Sequence, residues 1–313
     1  MATQILQAKS AHELRDVLEL RYDILTDSGQ KLGKSTQFTR RVIDHLDVYP
    51  DTFNFVAYQK GKSVGCLRSV VFNANDDFIN LVFDFRETAS NIDGTSCLLD
   101  MLAVKAAFSD PRSLFKFLIK MALNVLAHKG IDNAFFVCPK PVIEIVESLG
   151  FRRLKDPYYS DVLRQDVCPV AVSVTDFFTQ LTASITDKEI LRFQEVFYYT
   201  IFEPGEVMVI QGEKGSTAYL IEEGDVDVVL LKGEELISIS SIGAGQMIGE
   251  IAMVTNETRT ASLIAKSPTT CISFDRQDFM RLMYDQPHRS IDIFKIFSKR
   301  LSESNKKLAE LKR

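Results

Sequence analysis

"GEIAMVTNETRTAS", Gly249–Ser262, sets a glycine, a carboxylate, a short apolar turn, one arginine and several small residues in close succession. A phosphate diester carried on a sugar makes matching demands. Backbone N–H groups and small side chains let the chain approach the anion. An arginine neutralises it through charge-assisted hydrogen bonds worth roughly 1.5–3 kcal/mol each. A carboxylate accepts from a sugar hydroxyl. Gly249, Glu250, Ile251, Ala252, Arg259, Thr260 and Ala261 supply that set in order. The alternative is a surface turn closed by an ion pair between Glu250 and Arg259. The surroundings favour the first reading. From about Thr186 onward, short β-branched runs are punctuated by "EPGE", "GEKG", "EEGD" and "GAGQ". Glycine turns between short strands describe a small β-barrel or roll.

The whole chain has 313 residues, a length that suits two domains better than one. A net charge of -5, with no long basic tract, gives no general reason to expect nucleic acid as a partner. Cys66, Cys97, Cys138, Cys168 and Cys271 lack CxxC spacing, so neither a zinc ribbon nor a disulfide framework is indicated. His12, His45, His128 and His288 show no metal spacing, and no metal is expected. "MATQILQAKSAHELRD" reaches polar residues too early for a signal peptide, and no apolar run approaches a membrane span. A cytoplasmic protein with buried free thiols is expected.

Ser10 and Glu13 have capping-box spacing and open a helix through Leu14, Val17, Leu18 and Arg21. "FNFVAYQKGKSVGCLRSVVF" reads as two strands around a Lys60-Gly61 turn. "CLLDMLAV" follows as a strand. "PRSLFKFLIKMALNVLAHKG" is a helix that starts on proline and ends on Gly130. "NAFFVC" is a strand, "PVIEIVESLG" a short helix, and "FRRLKDPYY" a turn into a further strand. Thr186 and Glu189 have capping-box spacing before another short helix. The order is that of an α+β or α/β chain, with domains expected at residues 1–180 and 181–313.

With those residues in view, the second half resembles the cyclic nucleotide-binding domains of the catabolite activator and of kinase regulatory subunits. "FEPGEVMVIQGEKGSTAYLIEEGDVDVV" resembles their first strands, and "GEIAMVTNETRTAS" their phosphate-binding cassette. The resemblance implies that Arg259 takes the cyclic phosphate and Glu250 the ribose 2′-hydroxyl, with Gly249, Ile251, Ala252, Thr260 and Ala261 lining the pocket. It implies cAMP as effector first and cGMP second. Beyond the roll, Phe294, Phe297, Leu301, Leu308 and Leu311 have three-and-four spacing. Packing on its own roll and a homodimer seam are both open readings of that helix, which is expected to move as a lid. No C-terminal winged-helix DNA reader is expected before Arg313.

In the first half, "LLDMLAVKAAFSDPRSLFKF…SLGFRRL" resembles the GNAT acyltransferases, in which two strands splay and the donor's pantetheine lies in the split. That implies an acyl donor along Leu102 and Val104 and near Arg112 and Ser113. The loop "SDPRSLFKF" lacks the glycines that cradle a CoA pyrophosphate. Arg21, Asp44 and Asp47 in "DHLD", and Arg68 in "GCLRSV", resemble the acyl-homoserine-lactone synthases and the N-acyl amino acid synthases. The resemblance implies transfer of a fatty acyl chain from acyl carrier protein, or from a CoA thioester, to an amine. Carboxylates orient the ammonium, arginines hold the carboxylates or a substrate carboxylate, and Asp100 is a candidate base. A structural salt-bridge network is the other reading of these residues. The fold expected overall is α+β: a GNAT-like acyltransferase followed by a cyclic nucleotide-binding β-roll and a C-terminal helix. A protein-lysine acetyltransferase and a non-catalytic, acyltransferase-like sensor remain alternative functions.

Overall fold

The computed structural model describes residues 2–27, 34–72, 76, 82–91, 93–183, 197–233, 235–285, 287 and 298. The chain divides into two compact units, Thr3–Leu181 and residues 182–313 with Met1–Ala2. Thr186, Glu189 and the expected helix through Phe294, Phe297, Leu301, Leu308 and Leu311 lie outside the described residues.

The first unit runs β1 (Thr3–Ala8), α1 (Ala11–Asp27), α2 (Lys34–Thr39), β2 (Thr52–Gln59), β3 (Lys62–Phe72), α3 (Arg86–Ser90), β4 (Ser96–Val104), α4 (Pro111–His128), β5 (Asn133–Pro139), α5 (Ile143–Ser148), β6 (Arg152–Arg153), β7 (Tyr158–Ser160), β8 (Gln165–Ser173) and α6 (Val174–Ala183). A 3-10 turn, His45–Val48, precedes β2. Local chemistry accounts for several boundaries. Ser10 and Glu13 close the capping box reciprocally: the Glu13 amide donates to Ser10 Oγ at 3.2 Å and the Ser10 amide to Glu13 Oε2 at 2.8 Å. Lys60 and Gly61 both have positive φ, 53° and 70°, as a two-residue hairpin turn requires. Asp110 caps α4 by accepting from the Ser113 amide at 3.1 Å, and Gly130 ends that helix at φ 72°.

Within this unit the sheet order is β1-β2-β3-β4-β5-β8-β6, with β7 paired to β8. Every pairing is antiparallel except β4 with β5. That parallel pairing covers only Ser96/Asn133 to Leu99/Phe136. Past it, β4 stays with β3 as far as Val104, while β5 stays with β8 as far as Pro139. The two strands therefore part at Leu99. Just beyond the fork the β3–β4 register shifts, and Met101 takes φ 51°, a bulge in β4. Helix α4 buries Leu114, Phe117, Leu118, Met121, Leu123 and Leu126.

The second unit contains β9 (Phe197–Phe202), β10 (Val207–Val209), β11 (Thr217–Glu223), β12 (Asp225–Lys232), β13 (Glu235–Gly243), β14 (Met247–Ile248), α7 (Glu250–Thr255), β15 (Ser262–Ala265), β16 (Thr269–Asp275) and α8 (Arg276–Asp285). Its strands form two antiparallel layers, β14-β11-β16-β9 and β10-β15-β12-β13. Phe202, Met208, Tyr219, Ile221, Val226, Ile248, Leu263 and Cys271 from both layers fill the space between them. All five cysteines are buried and free.

Candidate functional site

Three strands and two helical segments bring a charged cluster together in the first unit. Asn54 on β2, Arg68 on β3 and Asp100 on β4 are register neighbours, so their side chains share one row on one face. Arg21 comes from α1, and Asp44 and Asp47 from the cap and body of the 3-10 turn. That turn is rigid: Asp44 Oδ1 accepts from the Leu46 amide at 2.8 Å, and Asp47 Oδ2 from the Asp44 amide at 3.0 Å.

Arg68 is the hub. Its Nη1 and Nη2 donate to Asp44 at 2.6 and 3.0 Å, and its Nε and Nη2 donate to Asp100 at 2.8 and 2.6 Å. Its Nη1 also stands 3.0 Å from Asp47 Oδ1. Arg21 donates to the same Asp47 oxygen at 2.7 Å and to Asn54 Oδ1 at 2.6 Å. Both arginine side chains are sealed, 2% exposed for Arg21 and 1% for Arg68, whereas Asp44 keeps 32% exposure and Asp100 24%. Two guanidiniums against three carboxylates leave one excess negative charge when all three are ionised, and Asp44 and Asp100 form the accessible face.

The two outward carboxylates differ in acidity. Burial pushes both up. At Asp44 it is outweighed by Arg68, by the Leu46 amide and by the charge of Arg21, so its pKa falls below the ordinary value. At Asp100 burial prevails over Arg68, and the pKa is raised. One guanidinium thus bridges an acid held ionised and a carboxyl that takes a proton more readily. Asp100 is also the first residue of β4 past the fork.

The four residues expected on the donor side lie on two elements. Leu102 and Val104 lie half-buried on β4 beyond the bulge. Arg112 instead makes an exposed ion pair with Glu144 at 3.0 Å, and the Ser113 amide is satisfied by the Asp110 carboxylate.

In the second unit, Gly249 and Arg259 meet at the start of α7. Arg259 is 6% exposed, yet its guanidinium makes no ion pair with a described carboxylate. It donates instead to two carbonyls, Gly249 O at 2.6 Å and Thr217 O at 2.5 Å. Burial lowers its pKa, opposed by the charges of Tyr219 and Glu250. It lies against the backbone of Gly215, where a Cβ would collide with the guanidinium. Gly249 has φ 76°, and a Cβ there would sit 2.7 Å from Nη1. Ala252 is buried, Ala261 half-buried and Thr260 exposed. The result is a buried cation whose contacts are backbone carbonyls and glycines.

The family model for N-acyl amino acid synthase FeeM matches residues 16–173, just over half of the chain, and spans every member of the charged cluster. The chain belongs to that family. A second model, the cyclic nucleotide-binding domain, matches residues 200–286 of this synthase-family chain and includes the seat around Arg259. Similar solved structures include a cyclic nucleotide-binding domain from Methylobacillus flagellatus, at 22% identity over 42% of this chain and 79% of that one, TM-score 0.36. The catabolite activator protein of Thermus thermophilus is 23% identical over 42% and 62%, TM-score 0.35. The regulatory domain of Toxoplasma gondii PKA, crystallised with cAMP, is 23% identical over 44% and 59%, TM-score 0.33. The chain spans about three fifths of the latter two proteins.

Arg21, Asp44, Asp47, Arg68 and Asp100, the residues singled out in the synthase half, converge in one cluster. Asn54 was not foreseen, and neither was Gly215. Among the described residues, no helix is long and apolar enough to cross a membrane, and no group of three metal-ligating side chains assembles.

Proposed function

We propose that the protein is an N-acyltransferase regulated by a cyclic nucleotide, with residues 1–180 carrying a GNAT-like acyl transfer site and 181–313 the effector site. The observation that carries the transfer reading is Asp100, placed at the fork of β4 and β5 and joined through Arg68 to a second, more acidic carboxylate. The acceptor's ammonium docks on Asp44 and Asp100. Arg68 holds both of those carboxylates and Arg21 holds Asp47 beside them; the two sealed arginines do not reach out to the substrate. Asp100 takes a proton from the ammonium. The freed amine attacks the thioester carbonyl, an amide bond forms, the C–S bond breaks, and the thiol leaves with a proton. The acyl thioester lies in the fork along Leu102 and Val104. The Asp110 carboxylate at the start of α4 disfavours a pyrophosphate there, which favours an acyl carrier protein over CoA as donor. In the effector site, Arg259 takes the cyclic phosphate and Glu250 the ribose 2′-hydroxyl, with cAMP preferred over cGMP.

Purified protein incubated with long-chain acyl carrier protein and a mixture of amino acids tests the transfer reading by mass spectrometry. Accumulation of N-acyl amino acid, abolished in Asp100→Asn, is expected. Acetylated lysine on added protein with no N-acyl amino acid would favour an acetyltransferase instead.

A further inference from the structure

The segments that carry the two carbonyls holding Arg259 are both tied to one place, the junction of β16 and α8. Thr217 Oγ1 donates to Asp275 Oδ1 at 2.9 Å, and the neighbouring Ser216 carbonyl accepts the Arg276 amide at 2.6 Å. On the other side, Arg276 Nη1 donates to Met253 O at 2.7 Å. The Met253 amide in turn points at Gly249 O, 3.4 Å away. Tyr198 adds a second donor to Asp275 Oδ1 at 3.3 Å. The bonds close a ring: Arg259 to Thr217, Thr217 to Asp275, Arg276 to α7, and α7 back through Gly249 to Arg259.

We infer that Thr217, Asp275 and Arg276 are positioning residues for the anion seat at Arg259, acting through the carbonyls of Thr217 and Gly249. The inference rests on the cyclic-nucleotide reading of that seat. A buried guanidinium that makes no ion pair with a described carboxylate is costly, and an incoming anion would offset that cost best where the guanidinium is already oriented. Two carbonyls give it direction but no charge. Their own orientation therefore decides where the guanidinium's remaining N–H groups point. Asp275 and Arg276 are the last residue of a strand and the first of a helix, so their backbone is fixed by two elements at once. Thr217 lies on β11, where valine preserves the branched shape and removes only the hydroxyl.

The test uses the full chain, calorimetry, and two probes: cAMP and adenosine, which has no phosphate. Thr217→Val is expected to weaken cAMP about three- to tenfold, the worth of one hydrogen bond, and to leave adenosine unchanged. In an Arg259→Ala background the same substitution is expected to change cAMP affinity no further. Arg276→Met repeats the measurement from the other side of the ring and stands in if Thr217→Val does not fold. The inference is overturned if cAMP affinity is unaffected by both substitutions. It is equally overturned if adenosine weakens as much as cAMP, or if the loss persists without Arg259. A wild-type chain that binds no cyclic nucleotide at all overturns the effector reading as well, which separates the two failures.

Discussion

Arg68 and Arg259 are both buried guanidiniums, and their surroundings differ by three carboxylates. Arg68 contacts Asp44, Asp47 and Asp100 and is sealed at 1% exposure. Arg259 faces two backbone carbonyls and forms no ion pair with a described acid. Burial therefore acts differently on the two. At Arg68 the desolvation cost is outweighed by Asp100 and Asp44, so its pKa rises; at Arg259 burial prevails and the pKa falls. A guanidinium neutralised from within organises its neighbours. One that makes no ion pair with a described acid keeps its charge open to a ligand. In the proposed function the first arrangement offers carboxylates to a cation, and the second a guanidinium to an anion.

The contrast is broken or sharpened first by removing each charge. Arg68→Met leaves Asp44 and Asp100 without their guanidinium while Asp47 keeps Arg21, and a loss of up to about 3 kcal/mol in denaturant unfolding is expected. Arg259→Met removes a charge that makes no ion pair with a described carboxylate, so stability should be nearly unchanged or slightly higher. Its cAMP affinity should fall at least about tenfold. Equal stability losses in the two variants would erase the distinction between them.

Asp100→Asn keeps the shape of the cluster and removes the proposed base. Acyl transfer should drop by about 10²–10⁴-fold while the thermal melting transition persists. An inactive variant that has also lost its transition would assign Asp100 a structural role only.

Acidity separates the two outward carboxylates by sign. Asp44 has a lowered pKa, so its contribution to stability is present above the ordinary carboxylate value and lost as pH falls through its lower native value. Asp100 has a raised pKa, so the folded state binds its proton more tightly and stability is lost as pH rises through the native value. Unfolding measured against pH should lose the first dependence in Asp44→Asn and the second in Asp100→Asn. Transfer activity, which needs ionised Asp100, should rise with pH through that same raised value. Identical pH profiles for the two variants would count against the division of roles.

The smallest expected effect belongs to a residue of neither site. Ser10→Ala removes one half of a capping box and should cost about 1 kcal/mol of stability, with transfer and nucleotide binding untouched.

What the sequence revealed and what it hid follow from the range of the interactions. The turn at Lys60-Gly61, the Asp110-Pro111 start of α4 and the box at Ser10 depend on residues a few positions apart, and all three were readable. Asn54 was not. A regular hairpin closed at Lys60-Gly61 would pair Asn54 with Leu67, on the opposite face from Arg68. Ala57 pairs with Gly65 while Tyr58 pairs with Ser63, so Val64 is an extra residue that shifts Asn54 opposite Arg68. No local signal announces that bulge. The one at Met101 in β4 is equally silent. Gly215 gives no clue either, because its requirement is the Arg259 side chain pressed on its backbone. Strand β1 went unrecognised in "TQILQA", where alternation over six residues is too short to stand out. The charges of the cluster were visible as residues, and their pairing became visible only in the fold.

Communication between the two sites is tested most directly by reciprocal binding. An effector regulates transfer only if it binds two states of the protein with different affinity, and linkage then makes the effect mutual. Calorimetric cAMP affinity should be measured on the full chain with and without a saturating, non-transferable acyl thioester analogue. A shift of about 5- to 150-fold is expected, corresponding to a coupling of roughly 1–3 kcal/mol. Affinities that agree within error, with both ligands bound, would mean that the acyl site and the nucleotide site share a chain and nothing more.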